Sequence, residues 1–228
     1  MMPLRRSALV LLISAALAGQ ATAGNQIYEP LAASVQAGLQ ASIADMPAPH
    51  HGFSRSIDAV NWLTEMSRRL ERRIPLFETR LEFLRTVHYE ATRSGIDPQL
   101  LLALIQVESN FRKYAVSGAG ARGYMQVMPF WTGLIGRREH NLFNLRTNLR
   151  YGCVILRHYL DIENGNVFRA LGRYNGSLGK PEYPNMVNAA LRNSWSYDHS
   201  ASTAPPANSP AAGVANPRPQ PVRQETRR

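Results

Sequence analysis

Apolar residues recur at three- and four-residue spacing along most of this chain, and no stretch shows the strict alternation that is typical of a β-strand. Clear helical faces run over residues 57–70 and 77–91. Asp97-Pro98 then supplies an acidic N-cap and a proline for the first helical turn, which predicts a third helix that ends near Ser109. Further helices are predicted over residues 31–45, 148–160, 167–173 and 183–193. The fold class is therefore predicted to be all-α.

The first 23 residues have the layout of a secretory signal peptide. Arg5 and Arg6 provide a basic start, an apolar run follows, and Ala21-Thr22-Ala23 fits an A-x-A cleavage site. The apolar run is too short to span a bilayer, and no later stretch is long and apolar enough to do so. We therefore expect an exported, periplasmic and soluble protein. The alternative interpretation of Arg5-Arg6 is a twin-arginine export signal, but the motif around the two arginines is incomplete.

Composition divides the rest of the chain into three parts. Residues 24–76 are predicted to form an N-terminal helical extension, and residues 77–196 a single helical domain that carries the function. From Ser200 onward alanine, proline and serine dominate, and such a composition cannot bury a core. Residues 197–228 are therefore predicted to be a disordered tail.

Cys153 is the only cysteine, which excludes an internal disulfide. The stability of the domain must therefore come from an apolar core. Because Cys153 lies in an apolar-periodic stretch, we expect it to be a buried small hydrophobe rather than a nucleophile.

The chain is strongly basic, with a formal net charge of +10 that comes almost entirely from arginine. A basic exported protein can meet anionic lipid, nucleic acid or an anionic wall polymer. Charge alone does not choose among these partners, but export makes intracellular nucleic acid a poor candidate. We therefore predict no nucleic-acid partner.

Glu108 is the only acidic residue between positions 98 and 138. Helical spacing puts it on the apolar face of the predicted helix, near the C-terminal end. Apolar surroundings and the negative end of the helix dipole both disfavour a charged carboxylate, so we expect a raised pKa and the role of a general acid. The alternative is a glutamate at the edge of the core, or one that pairs with Arg112 one helical turn later.

Glu108 also begins a series of three motifs. Glu108-Ser109 is followed by SGAGARGYMQ over residues 117–126 and then by Tyr174-Asn175. This series resembles the soluble lytic transglycosylase family, whose members cleave peptidoglycan and whose fold is similar to goose-type lysozyme. The first two motifs match the family's E-S and S-x-x-G-A-x-G-x-M-Q patterns well. The third match is partial, because RYNGS stands over residues 173–177 where the family has A-Y-N-A-G.

The resemblance covers about residues 77–195 and implies a reaction that needs only one carboxylate. Glu108 would protonate the glycosidic oxygen and then take the proton from the 6-hydroxyl of N-acetylmuramic acid, which closes a 1,6-anhydro ring. The acetamido group of the sugar can assist, so the second carboxylate of ordinary glycosidases is not required. The resemblance also implies substrate-binding roles for six residues: Ser117, Met125, Gln126, Tyr174, Asn175 and Tyr183.

Further expectations concern the backbone conformation and the packing of residues in and near the second motif. Gly120 and Gly123 are expected to adopt positive φ and to let the backbone approach a bulky sugar. Met125 is as consistent with core packing as with the sugar cleft. Tyr124 and Trp131 are either sugar-stacking surfaces or core aromatics.

No cofactor and no metal site are predicted, since His50-His51 has no further histidine at a ligand spacing. The expected partner is the glycan strand of peptidoglycan, and proteins of wall remodelling or of a secretion machine are further candidates. Three alternatives to a lytic transglycosylase stay open. A hydrolytic muramidase would use water in place of the 6-hydroxyl, a peptidoglycan-binding module would lack the chemistry, and a basic exported adaptor would bind a partner protein.

Overall fold

The computed structural model describes residues 25–44 and 57–198, and helices form most of both ranges. The predicted signal peptide, His50-His51 and nearly all of the predicted tail lie outside them. Over the described residues there is no β-strand but only isolated β-bridges, so the all-α prediction is confirmed. The helices are α1 Ala33–Ala44, α2 Ile57–Leu70, α3 Phe77–Arg93, α4 Pro98–Ser109, α5 Phe130–Ile135, α6 Leu145–Ile162, α7 Val167–Asn175 and α8 Glu182–Ala190, and a π-helical turn follows at Leu191–Trp195.

The start of α4 forms as its sequence predicts. The Asp97 carboxylate accepts a hydrogen bond of 2.8 Å from the backbone N–H of Gln99, and Pro98 occupies the first turn. The helix ends where Asn110 adopts a left-handed conformation, with φ at 48°, and Phe111 follows at φ 64°. These two residues turn the chain sharply directly after Glu108-Ser109.

α4 is the central helix of the fold, and almost all of its apolar side chains are buried. It packs against α3, α8 and the π-helical turn, while α6 packs against α3 and α7. α1 lies on α5 and α6.

Cys153 is fully buried in α6, as expected for a small hydrophobe, and burial raises the pKa of its thiol well above the usual value.

Buried arginine interactions join the helices around this core. The Arg80 guanidinium donates to the carbonyls of Ile74 and Pro75 at 2.7 and 3.0 Å. These hydrogen bonds satisfy two backbone acceptors in the turn between α2 and α3. Arg150 of α6 pairs with the fully buried Glu90 of α3 at 3.0 Å. The two helices are therefore connected by a charge pair inside the protein.

The predicted boundary of the N-terminal extension, at residue 76, lies in the turn that connects α2 with α3. The described residues up to Tyr197 form one compact unit. No helix in these parts of the chain is both long and apolar enough to cross a membrane. The assignment of separate domains to residues 24–76 and 77–196 stays a prediction.

Candidate active site

Glu108 lies in the last turn of α4 and is only 4% exposed. The hydroxyl of Tyr183 donates to its Oε1 at 2.5 Å. Tyr183 belongs to the first turn of α8, and the packing of α8 on α4 brings the two residues together across 75 positions of sequence. Burial, followed by the negative charge of Glu108, raises the pKa of Tyr183 well above its ordinary value. Tyr183 is therefore a neutral hydrogen-bond donor to Glu108 at any ordinary pH.

Tyr174 of α7 is also fully buried. Its hydroxyl donates to the carbonyl of Met125 at 2.8 Å. Burial raises the pKa of Tyr174 well above the usual value, the charge of Glu108 raises it further, and a hydrogen bond with Gln26 opposes the change. Tyr183 thus contacts the Glu108 carboxyl group directly, whereas Tyr174 is near enough for the charge of Glu108 to raise its pKa.

Residues 117–128, which include the glycine-containing second motif, form a loop, here called the glycine loop, that is attached to the end of α4. The Ser109 hydroxyl donates to the carbonyl of Tyr124 at 2.7 Å. Within the loop, Arg122 and Val127 exchange two backbone hydrogen bonds of 2.9 and 3.0 Å. Gly120 and Gly123 have φ values of 87° and 77°, which confirms the expectation of positive φ.

Asn148 anchors the same loop to α6. Its fully buried side chain accepts from the N–H of Met125 at 2.8 Å and donates to the carbonyls of Arg122 and Leu142, also at 2.8 Å. A Cβ on Gly123 would overlap the Asn148 amide and lie 2.5 Å from the Leu142 carbonyl oxygen. The loop is therefore packed so closely on α6 that only glycine fits at position 123.

Met125 and Gln126 turn their side chains into the protein. Met125 is fully buried, and its side chain occupies the space beside Gly152 of α6. Gln126 has φ at 48°, and its buried amide donates to the carbonyls of Gly123 and Ala115 at 2.9 and 3.1 Å. In this structure both side chains support the loop, and substrate contact by either one stays a prediction.

Ser117 begins the second motif, and Asn175 belongs to the third. Ser117 is half-buried in the loop, and its hydroxyl accepts from the N–H of Ala121 at 3.1 Å. Asn175 is buried at the C-terminal end of α7, next to Tyr174. Tyr124 and Trp131 are both buried among aromatic rings, so they belong to the core.

Three carboxylates are buried in the part of the chain that the structure describes: Glu90, Glu108 and Glu163. Glu90 is held by Arg146 and Arg150, and Glu163 by Arg169 and Arg173. Glu108 instead accepts the hydrogen bond of a tyrosine. This contact with a neutral phenol distinguishes Glu108 from Glu90 and Glu163, each of which contacts two arginines.

The two acids nearest to Glu108 in sequence have other surroundings. Asp97 caps the opposite end of α4, about 16 Å away along the helix axis. Glu139 is exposed and pairs with Arg137 at 3.2 Å. Within the described residues, no three histidine, cysteine or acidic side chains lie close enough together to hold a metal ion.

The sequence patterns did not identify two residues, Asn148 and Gln26, whose side chains bind the backbone of the glycine loop. Asn148 had a weak signal, because it is a polar side chain at the start of an apolar-periodic stretch. Gln26 had none, because it lies in the irregular segment before α1. Its amide nevertheless reaches the loop and Tyr174.

Comparison with known proteins agrees with this geometry. Residues 85–189 match the family model described as "Transglycosylase SLT domain". The chain is 30% identical over 146 residues to a "Transglycosylase" of Enterobacteria phage PRD1, covering 59% of this chain and 50% of the relative. It is also similar to proteins named "Membrane-bound lytic murein transglycosylase C".

Two such proteins come from Histophilus somni strain 2336 and Mannheimia succiniciproducens. The first is 35% identical over 113 residues, which cover 42% of this chain and 31% of the relative. The second is 44% identical over 52 residues, which cover 23% and 15% of the two chains. The chain thus spans half of the phage relative's length and less of the bacterial ones. The family match extends from α3 to α8 and includes Glu108, the glycine loop and both buried tyrosines, so this segment of the chain is similar to the transglycosylase SLT domain.

Proposed function

We propose that this protein is an exported lytic transglycosylase of peptidoglycan. It cleaves the β-1,4 bond between N-acetylmuramic acid and N-acetylglucosamine and leaves 1,6-anhydro-N-acetylmuramic acid ends. The observation that carries the proposal is the buried Glu108, which is held by the hydroxyl of Tyr183 within a matched SLT domain. A carboxyl group that is buried beside a neutral phenol is suited to proton transfer.

Glu108 acts first as a general acid. Because the Tyr183 hydroxyl donates to Oε1, we assign the transferable proton to Oε2 of Glu108. That proton passes to the glycosidic oxygen while the bond from this oxygen to the anomeric carbon breaks. N-acetylglucosamine leaves with a free 4-hydroxyl, and the acetamido group of the muramic acid residue stabilises the electron-poor carbon.

The same carboxyl group then acts as a base. Glu108 takes the proton from the muramic acid 6-hydroxyl, whose oxygen forms the new bond to the anomeric carbon. The ring closes without water, and Glu108 is protonated again for the next cycle. Tyr183 supports the intermediate stage, because its neutral phenol donates a hydrogen bond to the carboxylate that the first step creates.

The other motif residues divide into two groups in this proposal. Ser117 and Asn175 are the polar side chains assigned to contact the sugar. Met125, Gln126 and Tyr174 set the shape of the loop backbone that faces the glycan, since their side chains point into the protein. The basic surface would favour the anionic cell wall.

One experiment distinguishes a lytic transglycosylase from two alternatives, a hydrolytic muramidase and a peptidoglycan-binding module. Purified sacculi are digested with the protein, and the soluble products are measured by mass spectrometry. A lytic transglycosylase yields muropeptides with 1,6-anhydro ends, whereas a hydrolytic muramidase yields reducing ends that are heavier by one water. A binding module with no chemistry yields no soluble product while the folded protein still binds the sacculi.

A further inference from the structure

Three successive carbonyl groups of the glycine loop each accept a hydrogen bond from a distant side chain. These are the carbonyls of residues 124–126, and their donors are Ser109 at 2.7 Å, Tyr174 at 2.8 Å and Gln26 at 3.4 Å. Ser109 and Tyr174 lie inside the matched SLT segment, residues 85–189. Gln26 lies 100 residues before its acceptor, in the N-terminal extension. The loop beside Glu108 is therefore held by one residue from outside the family domain.

The side-chain amide of Gln26 pairs with the loop backbone in the way that the peptide group of a neighbouring β-strand would. Its Nε2 donates to the carbonyl of Gln126, and its Oε1 accepts from the N–H of Met128 at 3.1 Å. Between these two positions, Val127 directs its own N–H and C=O to Arg122 on the other side. Gln26 thus satisfies backbone groups of Gln126 and Met128, while Arg122 satisfies those of Val127.

Close packing of the neighbouring residues fixes the position of the backbone around Gln26. A Cβ on Gly176, at the end of α7, would overlap the carbonyl oxygen of Asn25 and lie 3.0 Å from its carbonyl carbon. On the other side, the ring of Tyr28 packs edge-to-face on Phe130 at 5.6 Å between centroids. Gln26 itself is only 4% exposed. The segment is therefore packed against both α7 and the chain that follows the loop.

We infer that Gln26 is a positioning residue for the reaction proposed above, on which this inference rests. Its amide holds residues 126–128 and Tyr174 in place beside Glu108, so that the glycan-facing backbone keeps the geometry that proton transfer requires. The N-terminal extension thereby completes a site whose reacting carboxyl group belongs to the SLT domain.

The test compares two glutamines of the same extension. Gln26→Ala removes both loop contacts. Gln36→Ala is the matched control, because the Gln36 amide also donates to a backbone carbonyl, that of Leu134 at 2.8 Å, but at the end of α5. We expect Gln26→Ala to lower kcat on soluble glycan strands by roughly 10-fold or more, with KM changed by less than about twofold. Gln36→Ala is expected to keep both values at a temperature where all variants are folded.

A second variant separates positioning from a loss of stability. In Gln26→Glu the ionised carboxylate cannot donate to the Gln126 carbonyl, whereas the neutral acid can both donate and accept as the amide does. The activity of this variant relative to wild type should therefore recover as the pH falls toward the ordinary glutamate pKa of about 4.3. A deficit relative to wild type that is the same at every pH would contradict the inference.

Hydrogen exchange provides a readout that does not depend on catalysis. The Met128 amide should exchange faster in Gln26→Ala than in wild type or in Gln36→Ala. If wild type cleaves peptidoglycan while Gln26→Ala matches Gln36→Ala in both kcat and Met128 exchange, the inference alone is wrong. If wild type cleaves no glycan, the proposed function fails, and the inference falls with it.

Discussion

The phenol of Tyr183 donates a hydrogen bond of 2.5 Å to Oε1 of Glu108 and so joins the first turn of α8 to the last turn of α4. Both side chains are buried, and each comes from a helix end rather than from a mobile loop. A carboxyl group held in this way keeps its orientation while its charge changes during a reaction. The pair therefore forms the rigid part of the proposed catalytic site.

Replacing Tyr183 with phenylalanine should slow glycan cleavage without unfolding the protein. A hydrogen bond to a charged group contributes about 1.5–3 kcal/mol, and about 1.4 kcal/mol corresponds to a tenfold change in rate. We therefore expect Tyr183→Phe to lower kcat by roughly 10- to 100-fold. Tyr151→Phe is the control, because the buried Tyr151 hydroxyl contacts His140 at 2.7 Å elsewhere in the fold. Equal kcat in the two variants would show that the hydrogen bond to Glu108 has no part in the reaction.

The glycine loop offers a matched pair of substitutions. Gly120 and Gly123 both have positive φ, but a Cβ meets open space at Gly120 and overlaps Asn148 at Gly123. Gly120→Ala should therefore cost only the conformational strain, about 1–2 kcal/mol of unfolding free energy. Gly123→Ala should cost a further ~1–3 kcal/mol from overpacking and should also reduce activity.

Urea unfolding of both alanine variants measures this difference. Gly123→Ala should be clearly the less stable of the two variants. Equal unfolding free energies would mean that the contact of Gly123 with α6 is looser than the structure indicates.

Alkaline stability should report on the buried tyrosines. Burial raises the pKa of Tyr159 to about 12, and the pKa values of Tyr174 and Tyr183 are raised as well. Because the folded state holds these protons more tightly than the unfolded chain, the stabilisation is complete below pH ~10, the unfolded tyrosine pKa, and is lost as the pH rises through the folded values. Tyr159 alone should account for roughly 2–3 kcal/mol of the loss between about pH 10 and pH 12.

The measurement is the unfolding free energy of wild type and of Tyr159→Phe from pH 8 upward. The variant should lose stability less steeply above pH ~10, the unfolded tyrosine pKa. Parallel curves for the two proteins would contradict the assignment of this proton to Tyr159.

Local sequence patterns were sufficient to predict most helices and the position of Glu108. The apolar periodicity identified the helical faces, and Asp97-Pro98 marked the start of α4 because an N-cap acts within one turn. α6 begins three residues earlier than its periodicity suggested, since Asn144 caps it by accepting from the N–H of Thr147. Such local signals depend on neighbouring residues, and the sequence contains them directly.

The orientation of the motif side chains could not be predicted in the same way. Met125 is buried because Gly152, 27 positions later, leaves room for it on α6. Gln26 reaches the loop because Gly176 allows the backbone of Asn25 to approach α7. Both cases are long-range packing between small and large groups, which no local periodicity encodes.

The role of Glu108 as general acid is tested most directly by measuring glycan cleavage by Glu108→Gln together with the thermal unfolding of this variant. The amide keeps the shape of the side chain but has no proton to transfer, so cleavage should fall by at least the ~10²–10⁴-fold typical of losing acid–base catalysis. Thermal stability should stay level or rise, because a buried ionisable group strains the fold. Glu139→Gln, at an exposed acid paired with Arg137, should retain full activity. A folded Glu108→Gln protein that cleaves peptidoglycan at a near-normal rate would contradict the assignment of Glu108 as the general acid.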